Sequence, residues 1–310
     1  MTELLNQMER PDSSGAQVQT FPLIDAHVHL QFFDGNVLMK DGHPTPSLKQ
    51  VIEDAQNAGI RHFVCNATCE NDWQKVIDIS QQYPGVHVAL GIHPWYMHTL
   101  KPGWDERLEA LLSKNSTFMV GEIGLDTRKS DMYMHTPTAG YQFRPDSEQV
   151  RDMWTQTNVF RRQLELAHKY NRPAMVHCGK KNWDKMKTAL QLQKEVMPPC
   201  IVSHSHHGDA NLTKYLAKEY NAYFSFSPLI TWENCIKVRA GLQYVLENCP
   251  DRLLFESDAY SNISDTPANG VTATENKTFE MAQQLGLNKI TSHEALREIA
   301  FQNLKRILTR

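Results

Sequence analysis

The 310-residue chain reads as a single (β/α)8 barrel, an α/β fold. Two observations predict it. From Phe21 onward, eight short apolar runs rich in β-branched residues alternate with longer segments of helical period, and five of those runs finish on a histidine, glutamate or aspartate. A doubly wound open sheet is the weaker alternative, because the length alone also admits two domains of roughly 150 residues each.

Taken in order, "FPLIDAHVHL" at 21–30 is the first strand and "SLKQVIEDAQNAG" at 47–59 its helix. "RHFVCNA" at 61–67 precedes "DWQKVIDISQQY", and "VHVALGIHP" at 86–94 precedes "WDERLEALLSK". "FMVGEIGLD" at 118–126 is followed, after a long connection, by "NVFRRQLELAHKY". "RPAMVHC" at 172–178, "CIVSHS" at 200–205 and "AYFSFS" at 222–227 lead into "NWDKMKTALQLQ", "ANLTKYLAKEY" and "ENCIKVRAGLQYVLENC". "RLLFESDA" at 252–259 is the eighth strand, and "TENKTFEMAQQLG" and "SHEALREIAFQNLKRIL" close the chain. Each helical segment carries apolar residues near i, i+3, i+4 and i+7, the stripe that packs on a sheet.

Residues 1–20 read as a flexible N-terminal arm and 21–310 as the barrel. The connection at about 127–153 mixes Pro, Gly, Tyr and charge without periodicity, and its length predicts a functional insertion, a lid over the site. The opening twenty residues lack an apolar leader core, and no later run approaches the roughly 18 apolar residues of a membrane span, so no membrane partner is expected. Six cysteines without a CxxC pair read as reduced thiols of a cytoplasmic protein. Lys plus Arg number 32 against 35 Asp plus Glu, a net charge of −3, so a polyanion would need a local basic patch.

In a barrel the strands' C-terminal ends form the site. The first strand supplies His27 and His29, the fourth Glu122, the fifth His177, the sixth His204 and the eighth Asp258. Four imidazoles and two carboxylates on one rim are costly to bury unpaired, and metal ligation answers that cost. Six ligands exceed one tetrahedral ion, so the set suggests two divalent metals with Glu122 bridging. Imidazole favours Zn²⁺, with Mn²⁺ or Mg²⁺ as alternatives. Such a centre activates water for hydrolysis; Asp258 would ligate one metal and take the proton from that water, and Asp25 would orient the histidines.

In this order the motifs resemble the TatD-like metal-dependent hydrolases of the amidohydrolase superfamily: "DAHVHL", "GIHP" at 91–94, "GEIGLD" at 121–126, "FRRQLELAHKYNRPAMVH" at 160–177, "HSHHG" at 204–208, "ESDA" at 256–259 and the terminal "NLKRIL". The resemblance implies a (β/α)8 barrel, a one- or two-metal centre and phosphodiester hydrolysis, often as deoxyribonuclease action 3′ to 5′ on DNA ends. His27, His29, Glu122, His177, His204 and Asp258 fall on the family's metal positions, and His93 and Asp126 on motif positions nearer the substrate.

The chain also departs from the family. After the fifth strand the family usually reads His, any residue, Arg; this chain reads "HCGKK", with Gly179 at the arginine's place and Lys180 and Lys181 beyond it. Tyr260 stands where relatives commonly carry a proline. Lys180 and His206 are therefore candidate substrate contacts. Lys180, Lys181, Arg128, Lys129 and Arg144 are the candidate basic patch for DNA ends or a small phosphodiester. The alternative substrate is a small ester, lactone, amide or phosphoester. A non-catalytic scaffold would have lost ligands, and none is lost.

Overall fold

The computed structural model describes residues 9–11, 17–33, 35, 46–127, 133–136, 140–143, 152–260 and 266–309. Eight strands, β1 (Leu23–Val28), β2 (Ile60–Asn66), β3 (Val86–Leu90), β4 (Met119–Leu125), β5 (Ala174–Cys178), β6 (Ile201–Ser203), β7 (Tyr223–Phe226) and β8 (Leu253–Phe255), form one sheet in sequence order. All seven ladders between neighbours are parallel. Just past β8 the sheet meets its own first strand: Asp258 N–H donates to His27 O and His29 N–H to Ala259 O, both at 3.0 Å. The (β/α)8 barrel expected from the sequence is therefore the fold, closed at the end where the ligand-type residues lie.

Helices α1 (Leu48–Asn57), α2 (Trp73–Gln82), α3 (Trp104–Lys114), α4 (Met153–Lys169), α5 (Trp183–Leu192), α6 (Ala210–Tyr220), α7 (Ile236–Asn248) and α8 (Pro267–Gln284) each follow a strand, and α9 (His293–Leu308) closes the shell. Their starts are set by side-chain caps: Ser47, Asp152, Asp209, Thr266 and Ser292 each accept a backbone N–H from the first turn. The strands are buried on both faces, and one continuous apolar core joins barrel and helices.

Two helices begin earlier than periodicity predicts. α4 starts at Met153 rather than Asn158, capped by Asp152. α8 starts at Pro267 rather than Thr274, because Thr266 caps it and proline suits the first helical position. Its first turns hold Gly270 and several threonines, which hide the periodicity. A side chain at Gly270 would come within 3.0 Å of Ser257 Cβ, so glycine lets α8 press against the loop that carries Asp258.

Both regions read as irregular contain a strand pair. Glu9–Pro11 pairs antiparallel with Gln17–Gln19, and Tyr133–Thr136 with Gly140–Phe143. The second pair is rich in aromatic and β-branched residues, a strand signal diluted by the surrounding Pro, Gly and charge. Arg128, Lys129 and Arg144 lie outside the described residues. Among the described residues no helix is long and apolar enough to cross a membrane.

Candidate metal centre

Glu122, at 2 % exposure, is the middle of the site, and its two carboxylate oxygens face two different sets of rings. Oε2 lies 3.4 Å from both His27 Nε2 and His29 Nε2, which are 3.3 Å from each other. Oε1 lies 2.8 Å from His177 Nδ1 and 3.0 Å from His204 Nε2, themselves 3.1 Å apart. Two donor triangles thus share one carboxylate. Donor atoms bound at roughly 2.1 Å sit about 3.4 Å apart in a tetrahedron and about 3.0 Å apart in an octahedron, so both triangles have the edge lengths of coordination polyhedra. Asp258 Oδ1 stands 3.9 Å from Nε2 of both His27 and His29, capping the first triangle. The six residues expected to ligate metal are brought together.

Hydrogen bonds aim the rings. His29 Nδ1 donates to Asn66 O at 2.8 Å, which turns Nε2 inward as an acceptor. His177 is turned the other way: its Nε2 meets Asp126 Oδ2 at 3.1 Å, leaving Nδ1 for the centre. His204 Nδ1 meets Glu256 Oε1 at 3.1 Å. His93 is different, for its Nδ1 accepts the Trp95 backbone N–H at 3.0 Å. The proton of a neutral His93 therefore sits on Nε2, 3.4 Å from Glu122 Oε1, so that this atom donates to the site rather than ligating in it.

The charge balance asks for a cation. Burial favours a neutral Glu122, but the surrounding imidazoles outweigh it and hold the carboxyl well below its ordinary range. Burial equally disfavours the charged forms of His204 and His177, yet Glu122 with Glu256 raises the first well above its ordinary value and Asp126 with Glu122 raises the second. Burial holds His93 well below the ordinary value, and it pushes Asp258 up. Rings and carboxylates thus favour each other's charged forms here, and divalent ions bound among them would take the place of ring protons.

Asp25 does something other than orient the histidine rings. Its Oδ1 accepts from Ser257 N at 2.9 Å and its Oδ2 from Ser257 Oγ at 2.6 Å, with only a 3.3 Å contact to His27 N. It holds the turn that presents Asp258, whose φ of +51° lies in the left-handed region. Burial pushes the Asp25 carboxyl up to about 8.

Lys180 and Lys181 are exposed, on the short loop between β5 and α5. His206 is not brought to the centre. It is 1 % exposed, its Nδ1 meets Ser203 Oγ at 2.8 Å and its Nε2 Thr213 Oγ1 at 2.9 Å, and its ring packs on Phe224. With both nitrogens engaged and the ring in the core, it is no substrate contact. The neighbouring His207 is also held rather than solvated, accepting from Trp183 Nε1 at 3.1 Å.

Sequence reading missed three supporting residues. Glu256 lies in the quoted "ESDA" but carries no expectation of its own. Gln156 on α4 accepts from Asp126 N at 2.8 Å and donates to Asp126 O at 2.9 Å. Gln163 accepts from Ile92 N at 2.6 Å and donates to Ile92 O at 3.2 Å. Two buried glutamines on one helix thus fix the strand ends that carry Asp126 and His93; the one available signal is a pair of amides seven residues apart on that helix's apolar face.

The profile of the family described as TatD related DNase matches residues 24–309. The chain belongs to that family. Among its TatD relatives is the uncharacterized metal-dependent hydrolase YcfH of Escherichia coli K12, 24 % identical over 286 residues that cover 92 % of this chain and 95 % of that one. The 3′-5′ RNA nuclease TATDN2 of Homo sapiens is 27 % identical over 175 residues, 55 % of this chain and 20 % of its own length. The crystal structure of the TatD homologue YjjV from Escherichia coli superposes with a TM-score of 0.70 at 19 % identity, covering 93 % of this chain and 98 % of that one. A TatD family hydrolase from Entamoeba histolytica gives 0.69 at 19 % identity, with 94 % and 99 % covered. These structural likenesses confirm the (β/α)8 barrel.

Proposed function

We propose that this metal-dependent hydrolase cleaves phosphodiester bonds at nucleic-acid ends, using two divalent ions. The observation that carries the reading is the pair of donor triangles on the two oxygens of Glu122. His27, His29 and Asp258 with Glu122 Oε2 would hold one ion, and His177 and His204 with Glu122 Oε1 the other; the imidazole-rich set favours Zn²⁺. Bound there, the ions would acidify a water and polarise the scissile ester.

The chain's own residues supply the rest. Asp258 is the open side of the centre, with its side chain 32 % exposed, and accepts the proton of the attacking water. His93 offers its Nε2–H to a phosphoryl oxygen or to the departing oxygen. Trp95, its ring 5.1 Å from that of His93 and 6.1 Å from that of His177, offers a face on which a terminal base can stack. Lys180 and Lys181 on the adjacent loop favour an anionic chain leading to the site. A side chain at Gly179 would overlap Asp126 Oδ1, so the family's usual arginine has no room here and phosphate recognition passes to the point charges of the lysines. Six free cysteines, five of them buried, fit a reducing compartment, and we place the enzyme in the cytoplasm.

The test is turnover of end-labelled single- and double-stranded DNA, RNA and a small phosphodiester, with metal content measured on the same sample. Mononucleotide release that chelation abolishes supports the reading. Cleavage of the small diester alone, or of a small ester or lactone, would replace it with the small-molecule alternative.

A further inference from the structure

At the centre two fully buried atoms lack a hydrogen-bond partner, His27 Nδ1 on β1 and Glu256 Oε2 just past β8, and Ser225 Oγ, likewise without one, bears on the same Glu256 carboxylate. Leaving such a pair unsatisfied costs more than most buried contacts return. The side chains that carry them meet, for His27, His204 and Glu256 bring one nitrogen or oxygen each to within 4.8 Å of one another. The rings of His27 and His204 are stacked, centroids 3.8 Å apart and planes 18° from parallel. The other oxygen of the Glu256 carboxylate is already committed: Oε1 takes His204 Nδ1 at 3.1 Å and the Ser205 backbone N–H at 2.7 Å.

The two histidines belong to different donor triangles. His27 points Nε2 at Glu122 Oε2, and His204 points Nε2 at Glu122 Oε1. An imidazole that ligates through Nε2 carries its proton on Nδ1, and a carboxylate accepting that proton fixes the ring and strengthens the ligand. We propose that Glu256 is a positioning residue shared by both ions: Oε1 takes the Nδ1 proton of His204, and Oε2 takes that of His27 directly or through one water. Glu122 would offer one oxygen to each ion, and Glu256 would hold one histidine of each set. Either ion, by fixing its own histidine, settles the carboxylate on which the other depends, so the two bind cooperatively.

This inference rests on the two-ion reading, and the experiment separates the two. Chelator-stripped wild type is titrated with Zn²⁺ in a calorimeter beside Glu256→Gln, whose single amide oxygen cannot accept from both rings. The expected result is two equivalents in wild type and a loss of about 10- to 100-fold in affinity for each ion in the variant. One equivalent in wild type overturns the two-ion reading and the sharing with it. Two equivalents with unchanged affinities in the variant, or with only one ion weakened, overturn the sharing alone. A third equivalent in wild type that the variant loses makes Glu256 a ligand and overturns the positioning role. Proton and nitrogen-15 histidine spectra of Zn²⁺-loaded wild type add a readout that needs no variant: the Nδ1–H protons of both His27 and His204 are expected at the low-field shift of a hydrogen-bonded imidazole, and a His27 Nδ1–H at the shift of a ring without a partner overturns the proposal.

Discussion

Asp126 Oδ2 lies 3.1 Å from His177 Nε2, and this contact is what leaves the opposite ring nitrogen 2.8 Å from Glu122 Oε1. His177 thereby faces the centre through Nδ1 while His27, His29 and His204 face it through Nε2. Replacing Asp126 by Ala should release the ring and weaken one of the two ions by about 10- to 100-fold, read by metal titration, while the other ion binds as before. An equal loss at both would show that Asp126 supports the whole centre.

Gly179 makes that contact sterically available. Gly179→Ala places a methyl group against Asp126 Oδ1 and near Asn182 Oδ1. The variant should reproduce the metal loss of the Asp126→Ala change without removing any polar group. Full metal content together with full activity would mean that the loop yields and that glycine is not needed there.

Asp258→Asn should retain both ions and lower kcat by about 10²- to 10⁴-fold, the range for loss of a general base. The check is turnover with metal content on the same preparation. If the metal leaves too, the residue's main contribution is ligation.

His204→Ala should lower metal content, and His206→Ala should not. The second change instead leaves Ser203 Oγ without its partner and opens a cavity against Phe224, for a cost of about 2–4 kcal/mol in chemical denaturation. Two histidines separated by a single residue thus differ in what they hold: only the His204 change should lower metal content.

Part of the acid sensitivity should come from buried histidines outside the centre. At the start of β2 and β3, His62 Nδ1 and His87 Nε2 are 3.2 Å apart, and burial depresses the two rings to about 4 and about 3; His206 is likewise held at about 3. Unfolded, each returns to its ordinary 6.5 and binds a proton that the folded state refuses. Their stabilisation is therefore complete above about pH 6.5 and is lost as pH falls toward 4 and below. Urea midpoints in chelator between pH 8 and 4.5 should fall with acid, and the H87Q variant should show a shallower fall.

The barrel was legible because each strand is a dense apolar run and each helix carries a stripe, and because five strands end in residues that a structural rim does not need. The convergence of the candidate ligands was legible for the same reason: His27, Glu122, His177, His204 and Asp258 stand where apolar periodicity stops, and the fold brings them together. What surrounds the ligands was not. Gln156 and Gln163 look like ordinary amides on a helix until the strand ends they clamp are placed beside them. Asp25 alternates with His27 and so reads as its support, but the strand carries its carboxylate to Ser257, 232 residues away. His206 reads as a loop residue beside a ligand, and it is the tertiary packing of Phe224 and Thr213 that turns it inward.

The seam of the barrel has a consequence for the life of the chain. His27 and His29 sit on a strand whose free edge is met, among the described residues, by Ser257, Asp258 and Ala259 from the segment just past β8. A nascent or truncated chain lacking the last strand therefore has an open sheet, one ligand missing and Ser257 absent from Asp25. The opening strand is thus armed only when the closing segment docks on it, and a cut that frees either edge of the seam disarms both.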